Sequence, residues 1–177
     1  MRTRVGYAGG TTADPTYHDI GDHTEALQID FDPTRIDYEQ LLAMFWQEHE
    51  PCSASWSRQY QAILFHTDER QAEIAQRSAA AVHEVEGRQL CTEVRRLDRF
   101  YPAEDYHQKY ALRRDSRLVA QLRRFFPDEA ALRDAPVCAK LNAYCYGVMP
   151  FAELQTALRE LGFEALGEHS LAGIRKL

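Results

Sequence analysis

Apolar and polar residues alternate along the first half of the chain in four short segments that predict β-strands. These segments are residues 3–8, 26–31, 60–66 and 91–97. In the second segment Leu27, Ile29 and Phe31 occupy every other position, which is the period of a strand with one buried face. The pair Gly9-Gly10 ends the first segment because glycine interrupts regular structure. The first half of the chain is therefore expected to contribute strands to a sheet.

Two helices are predicted between these strands, because apolar residues there recur at the spacing of one helix face. The first spans residues 38–49, and Asp37 with Gln40 has the pattern of a capping box at its start. The second spans residues 68–85 and is ended by Gly87, since glycine readily adopts the left-handed conformation that follows helices. The sequence thus predicts strands and helices in succession up to residue 97.

The character of the chain changes after residue 97. Residues 100–107 are predicted to be a connector, although they are dense in aromatic and ionisable side chains. Three helices follow, at residues 118–126, 139–144 and 151–161. This order of elements predicts the α+β class, with a two-layer core in residues 1–114 and a helical extension in residues 115–177.

Composition and charge exclude several kinds of partner. Hydrophobic residues make up 45% of the chain and charged residues 27%, as in ordinary globular proteins. The formal net charge is −6, so the surface repels phosphate backbones and we expect no nucleic-acid partner. Apolar runs are shorter than the roughly 20 residues of a membrane helix. The first residues lack the pattern of a secretion signal, and we expect a cytoplasmic protein without a membrane partner.

The cysteines and histidines predict neither a disulfide framework nor a metal centre. The four cysteines, Cys52, Cys91, Cys138 and Cys145, are few, scattered and without a Cys-x-x-Cys pair. The seven histidines stand singly along the chain. We therefore predict no metal.

Five segments of the chain carry motifs that follow one another in a recognisable order. They are Arg-Thr-Arg-Val-Gly-Tyr-Ala-Gly-Gly at residues 2–10, Pro-Thr-Tyr at 15–17, Gly-Asp-His-Thr-Glu at 21–25, Trp-Ser-Arg-Gln-Tyr at 56–60 and Ala-Glu-Asp-Tyr-His-Gln at 103–108. Together they resemble the peptide methionine sulfoxide reductase A family. One such motif alone would be weak support, whereas five in register are specific. The resemblance extends to about residue 110, and the remainder is only weakly similar to the helical tail of one branch of the family.

The resemblance implies a fold and an activity. The fold would be a two-layer, ferredoxin-like α+β core, which in this chain would lack its first strand and helix. The activity would be reduction of methionine-S-sulfoxide, free or in oxidised proteins, to methionine by thiol chemistry. No cofactor would be bound, and thioredoxin or another thiol would be the reductant. We expect the protein to be a monomer.

The resemblance also assigns three residues to the oxygen of the sulfoxide. In the family a glutamate protonates this oxygen and two tyrosine hydroxyls hydrogen-bond to it, and by motif position these are Glu25, Tyr17 and Tyr60. An aspartate often accompanies them, but Ser55 stands at that position here. From the residues alone, Glu25 could equally be a solvated carboxylate at a strand end, and the tyrosines could be ordinary core residues.

Further motif residues are expected to shape the approach of the substrate. Trp56 could supply part of an aromatic wall, and the family uses the segment with Glu104, Asp105 and His107 to support the pocket. A carboxylate beside a histidine could also be the acid–base pair of a hydrolase. The chain has no Gly-x-Ser-x-Gly motif to supply the nucleophile of such an enzyme.

The sequence leaves open which residue supplies the attacking thiol. Members of the family carry Gly-Cys-Phe-Trp, with the nucleophilic cysteine, just upstream of the strand that begins here at Arg2. This tetrapeptide occurs nowhere in the 177 residues. Three interpretations compete. The true start lies upstream, or the C-terminal helices refill the gap, or the chain is a remnant that folds poorly because inner strands would lack partners.

The cysteines that are present offer alternatives. Cys52 could be a substitute nucleophile or a resolving thiol, or a small loop residue without chemistry. Cys145 stands roughly where the family brings a recycling cysteine, although its context favours helix packing, and Cys91 and Cys138 are expected to be buried structural thiols. Without a nucleophile, the protein could be a relative that binds sulfoxides or thioethers and does not catalyse.

Overall fold

The structure of the protein is a computed structural model that describes residues 1–166, so the end of the predicted helical extension, residues 167–177, lies outside the described residues. The strands are β1 (Arg2–Ala8), β2 (Thr24–Asp30), β3 (Ile63–His66), β4 (Glu93–Arg96) and β5 (Phe100–Pro102). The helices are α1 (Tyr38–Gln47), α2 (Glu69–Glu86), α3 (Tyr110–Arg113), α4 (Ser116–Leu122), α5 (Glu129–Asp134), α6 (Pro136–Cys145) and α7 (Phe151–Glu160), with single 3-10 turns at Arg58–Tyr60 and Glu164–Leu166. The predicted α+β class is confirmed.

The chain divides into two compact units, each with its own packing. The unit that we call the sheet unit contains residues 6–27 and 31–102. The other, the helical unit, contains residues 1–5, 28–30 and, of the described chain, residues 103–166. The boundary predicted at residue 114 stays a prediction.

The five strands form two small sheets. One has the strand order β2-β1-β5, with β5 antiparallel to β1, and the other pairs β3 with β4 in parallel. Gly6 lies opposite Pro102 in the first sheet, and a Cβ at Gly6 would collide with the carbonyl oxygen of Tyr101. Glycine at this position therefore lets β1 and β5 approach closely.

Helices α1 and α2 cover the second sheet. Leu42 of α1, Leu64 of β3 and Ala75 of α2 form its buried core, and Phe45 and Trp46 pack against them. The stabilising force is the removal of these apolar side chains from water. The helix caps predicted from the sequence are confirmed for α1 and α2. The predicted capping box of α1 is present, and the residue after α2 is a glycine in the left-handed conformation.

Three expectations from the sequence were wrong in detail. The segment predicted as a connector forms β5, because a three-residue strand owes its existence to pairing with β1 rather than to its own periodicity. The strand predicted to begin at Tyr60 begins at Ile63, after a 3-10 turn. Leu27 is 59% exposed, since alternation shows which residues share a face of a strand but not whether another element covers that face.

The helical unit has a separate apolar core. Its fully buried leucines come from α3 to α7: Leu112, Leu118, Leu122, Leu132, Leu141, Leu154 and Leu158. Helices α3 and α5 were not predicted, because elements of 4 and 6 residues are too short to show a helical period. Within residues 1–166, no helix has both the length and the apolar character needed to cross a bilayer.

The side chain of Gln108 ties the start of β1 into this unit. Its Nε2 donates to the carbonyl oxygens of Val5 at 2.7 Å and Ala103 at 3.0 Å, and the Val5 N–H donates to its Oε1 at 3.1 Å. Gln108 is fully buried, so its amide replaces the main-chain partner that a neighbouring strand would offer. Arg4, one residue earlier, forms ion pairs with Asp134 at 2.7 Å and Asp30 at 3.0 Å.

We expect Gln108→Ala to lower the free energy of unfolding by roughly 2–4 kcal/mol, because buried main-chain groups lose their hydrogen-bond partner. Urea unfolding followed by circular dichroism measures the change. The matched control is Gln76→Ala on the exposed face of α2, which we expect to change the stability by less than about 0.5 kcal/mol. Equal stability of the two variants would contradict the role given to Gln108.

Candidate active site

Two adjacent side chains shape the loop between β1 and β2. His23 is buried, with its Nε2 2.8 Å from the Thr12 carbonyl oxygen and its Nδ1 3.1 Å from the Gly10 nitrogen. The ring therefore donates from Nε2 and accepts at Nδ1, as a neutral histidine does. The Asp22 carboxylate accepts hydrogen bonds of 2.8–3.0 Å from the main-chain N–H groups and hydroxyls of Thr11 and Thr12. These bonds, led by that from the Thr12 N–H, hold the pKa of Asp22 well below its usual range.

Thr24 joins the start of β2 to the 3-10 turn that carries Tyr60. Its buried hydroxyl lies 3.0 Å from the carbonyl oxygen of Gln59 and 2.9 Å from that of Gln61. Arg58, in the same turn, donates to the carbonyl oxygens of Asp22 and Gly9 at 3.2 and 3.4 Å. Consequently the turn, the loop and the first residues of β2 are fixed to one another.

This arrangement brings together the carboxylate and both tyrosines that the sequence singled out. The pKa of the Tyr60 hydroxyl is raised above its ordinary value, chiefly by burial. The negative charge of Glu25 raises it further, as do the charge of Tyr17 and a hydrogen bond between Tyr17 and Tyr60. The Gln59 amide donates to Glu25 Oε1 at 2.7 Å. The ring of Trp56 lies 5.1 Å from that of Tyr60.

The group stays accessible. Tyr17 is 38% exposed, Tyr60 is 45% exposed and Trp56 is 83% exposed. Chemically, the group combines two phenols and a carboxyl group, which can donate to a ligand oxygen, with an indole that can cover an adjacent apolar group.

Sequence reasoning missed two residues of this group. Thr24 and Gln59 do not resemble catalytic residues, yet the first positions the turn and the second contacts Glu25. Their neighbours in the chain, Glu25 and Tyr60, are the signal that could have found them. Ser55, where the family often has an aspartate, donates its hydroxyl to the Ser57 carbonyl oxygen at 2.9 Å within its own loop.

Glu104, Asp105 and His107 belong to the helical unit. They form a turn in which the His107 N–H donates to the Glu104 carbonyl oxygen at 2.9 Å, and Asp105 is exposed. The His107 ring lies 4.3 Å from that of Tyr106. A role of these three residues in substrate approach stays a prediction.

Cys52 lies in the turn after α1, among charged groups. Its Sγ is 4.0 Å from Glu86 Oε2, and burial together with the charges of Glu86 and Glu50 raises the pKa of its thiol, against the opposite effect of Arg88. Ligand atoms of Glu50, Cys52 and Glu86 lie within 4.8 Å of one another, close enough to hold a cation. In this structure Arg88 forms ion pairs with both carboxylates, at 3.3 and 3.2 Å. Their separation in sequence hid the cluster from the spacing analysis.

Of the other three thiols, Cys91 is only partly buried, which corrects the expectation that it is buried, and two lie in the helical unit. Cys138 and Cys145 are on α6 and are buried in its apolar core. Burial raises the pKa of each thiol to about 11. Both are therefore protonated near neutral pH, which makes them poor nucleophiles in this conformation.

The fold and the site thus define an α+β protein with an accessible carboxyl–phenol site. A family model described as "Peptide methionine sulfoxide reductase" matches residues 1–133. The chain is 39% identical to a peptide methionine sulfoxide reductase of Drosophila melanogaster, over 92% of this chain and 65% of that relative. It is 37% identical to peptide methionine sulfoxide reductase A5 of Oryza sativa, over 81% of this chain and 58% of that relative. The chain belongs to the peptide methionine sulfoxide reductase family.

The matches cover the relatives only in part. The chain spans 65%, 58% and 66% of the lengths of the reductases from Drosophila melanogaster, Oryza sativa and Listeria monocytogenes. Among solved structures, Mxr1 of Saccharomyces cerevisiae in reduced form matches with a TM-score of 0.59 and 24% identity, over 64% of this chain and 71% of Mxr1. That likeness concerns the fold.

We expect the stability of the protein to decrease as the pH is lowered in the acid range. The Asp22→Asn variant should show a weaker dependence of stability on pH. The pKa of Asp22 is lower in the folded state than in the unfolded state, so the unfolded state binds a proton first. The contribution is present above the unfolded pKa of about 3.9 and is lost as the pH falls through the folded value. Urea unfolding over a pH series measures it, with exposed Asp98→Asn as the control. Identical pH profiles for the protein and Asp22→Asn would contradict the prediction.

Glu25→Gln should lower the pKa of Tyr60 towards its ordinary value of about 10, because it removes a negative charge that disfavours the phenolate. Tyr17→Phe should act in the same direction. Nuclear magnetic resonance titration of ¹³Cζ-labelled tyrosine follows Tyr60, and Glu39→Gln on α1 is the control for loss of a remote charge. If neither Glu25→Gln nor Tyr17→Phe moved the titration, the three side chains would not form one site.

Proposed function

We propose that the site binds the oxygen of methionine-S-sulfoxide and that the protein reduces this compound to methionine by thiol chemistry. The observation that carries the proposal is the grouping of Tyr17, Tyr60 and Glu25 in the sheet unit, with the two phenols hydrogen-bonded to each other. Membership of the family supports the choice of substrate.

In the proposed reaction the phenols of Tyr17 and Tyr60 turn from each other to the sulfoxide oxygen and donate to it. Glu25 gives that oxygen a proton, which makes the sulfur electrophilic. A thiolate then attacks the sulfur and forms a sulfur–sulfur bond, while the sulfur–oxygen bond breaks and the protonated oxygen leaves as hydroxide. The hydroxide attacks the enzyme sulfur, the sulfur–sulfur bond breaks, and methionine leaves a sulfenic acid on the enzyme thiol. Two further thiols reduce the sulfenic acid, giving a disulfide and water.

Neighbouring residues have supporting roles in the proposal. Gln59 orients the Glu25 carboxyl group by its 2.7 Å hydrogen bond. Trp56 covers the methyl group of the substrate beside Tyr60. Glu104, Asp105 and His107 shape the approach of the substrate. We further propose a cytoplasmic monomer that acts on free or protein-bound methionine sulfoxide in the repair of oxidative damage, with thioredoxin or another thiol as reductant and no bound cofactor.

The attacking thiol is separate from the residues that bind the oxygen. The family's Gly-Cys-Phe-Trp tetrapeptide is absent from the 177 residues. Cys52 is a weak substitute, since burial, with the charges of Glu86 and Glu50 and against the effect of Arg88, raises the pKa of its thiol and so disfavours the thiolate. Oxygen binding and sulfur attack are therefore tested separately.

For oxygen binding, we expect Tyr17→Phe and Tyr60→Phe each to weaken binding of N-acetylmethionine-S-sulfoxide about tenfold, the effect of about one lost hydrogen bond. Calorimetric titration measures the affinity, and Tyr146→Phe, an exposed tyrosine after α6, is the matched control. The S-epimer should bind more tightly than the R-epimer and than N-acetylmethionine. Equal affinity for sulfoxide and thioether would disprove the oxygen site.

For sulfur attack, the methionine released in the presence of dithiothreitol is measured for three proteins. They are the chain itself, its Cys52→Ser variant, and the chain preceded by a segment with Gly-Cys-Phe-Trp. Turnover by the chain that Cys52→Ser abolishes would make Cys52 the nucleophile. Turnover only with the added segment would assign the chemistry to that cysteine, and binding without turnover in all three would indicate a binding protein.

A further inference from the structure

Two cysteines lie where the turn after α1 contacts the residues that precede β4. The Cys91 N–H and the Thr92 N–H both donate to the Pro51 carbonyl oxygen, at 2.8 and 3.2 Å. The Cys91 thiol lies 3.1 Å from the carbonyl oxygen of Cys52. Both cysteines are free and partly exposed. The main chain therefore fixes Cys52 and Cys91 as neighbours that small reagents can reach.

This geometry suits a disulfide. Main-chain segments joined by such hydrogen bonds run about 5 Å apart. A disulfide needs Cα atoms within about 7 Å and side chains that can turn towards each other. The Cys91 thiol lies 3.1 Å from the carbonyl oxygen of Cys52, so the two residues that the bond would join are already in contact.

We propose that Cys52 and Cys91 are a redox pair that small disulfides oxidise to an intramolecular disulfide. One thiolate attacks the small disulfide, whose sulfur–sulfur bond breaks and releases one small thiol. The second cysteine attacks the resulting mixed disulfide, forms the Cys52–Cys91 bond and releases the second small thiol. The two protein thiols lose two protons and two electrons, and the small disulfide gains them.

The charges around the pair select the oxidant. Glu50 and Glu86 flank Cys52, and among residues 1–166 the ion pairs recorded for both carboxylates are with Arg88. Two carboxylates against one guanidinium leave a local negative charge. A dicationic disulfide such as cystamine is therefore favoured over anionic glutathione disulfide.

Oxidation would close the segment from Cys52 to Cys91 into a covalent loop. That segment carries Trp56 and Tyr60 as well as β3 and α2. Cross-linking its ends restricts the unfolded chain and raises the melting temperature. The pair does not depend on the proposed sulfoxide chemistry, because none of the residues assigned to the sulfoxide oxygen takes part.

The test uses the full reduced chain, cystamine and a chelator that excludes metals. After oxidation the protein is denatured, its remaining thiols are alkylated, and intact mass and peptide mapping are recorded. We expect two of the four thiols to be protected and a Cys52–Cys91 peptide pair to be found, together with a higher melting temperature. Adducts of cystamine without this cross-link, or four alkylated thiols, would overturn the proposal.

Variants separate the pair from the other thiols. Cys52→Ser and Cys91→Ser should each trap a mixed disulfide on the remaining partner and lose the rise in melting temperature. Cys138→Ser, which removes a buried thiol of the helical unit, should leave the cross-link unchanged. An intramolecular disulfide that still forms in Cys91→Ser but is lost in Cys138→Ser would assign the oxidation to another pair.

The choice of oxidant gives a second readout. We expect cystamine to oxidise the pair at least about tenfold faster than glutathione disulfide at low ionic strength. Salt and Glu86→Gln should each reduce this ratio, whereas Glu73→Gln on the exposed face of α2 should not. Equal rates for the two disulfides in the unmodified protein would refute the selection by charge.

Discussion

The hydroxyl of Thr24, which lies within hydrogen-bond distance of two carbonyl oxygens, joins two segments of the candidate site. The Thr24 hydroxyl is buried between the carbonyl oxygens of Gln59 and Gln61, so the first residue of β2 cannot leave the 3-10 turn without exposing unpaired polar groups. Glu25 follows Thr24 and Tyr60 follows Gln59. The contact of one hydroxyl with the main chain thus places a carboxylate beside a phenol, although 35 positions separate Thr24 from Gln59.

The loop that carries Tyr17 is also held by hydrogen bonds between side chains and the main chain. Asp22 and His23 form these bonds with residues 10–12, so the loop keeps its shape with little apolar packing of its own. Such a loop can remain at the surface and still be ordered. This explains how a site with accessible aromatic rings can have a defined geometry.

The thiols of the protein fall into two environments. On α6, burial among leucines suppresses ionisation and leaves Cys138 and Cys145 as packing residues. Between α1 and β4, Cys52 and Cys91 are partly exposed, adjacent and surrounded by charge. The sequence does not distinguish the two environments, because neither pair of cysteines stands in a recognisable motif such as Cys-x-x-Cys. Burial and neighbours decide which thiols can react.

The sequence by itself determined the local features of this protein. Caps at Asp37 and Gly87 and the apolar face with Leu42 and Phe45 predicted α1 and α2 almost to the residue, because capping and periodicity act within a few positions. The motifs also predicted the family and pointed to Glu25, Tyr17 and Tyr60. Only the tertiary structure decided that β5 exists, that Gln59 contacts Glu25 and that Cys52 meets Cys91. Each of these depends on hydrogen bonds between segments distant in the chain, and no local pattern specifies which distant groups will pair.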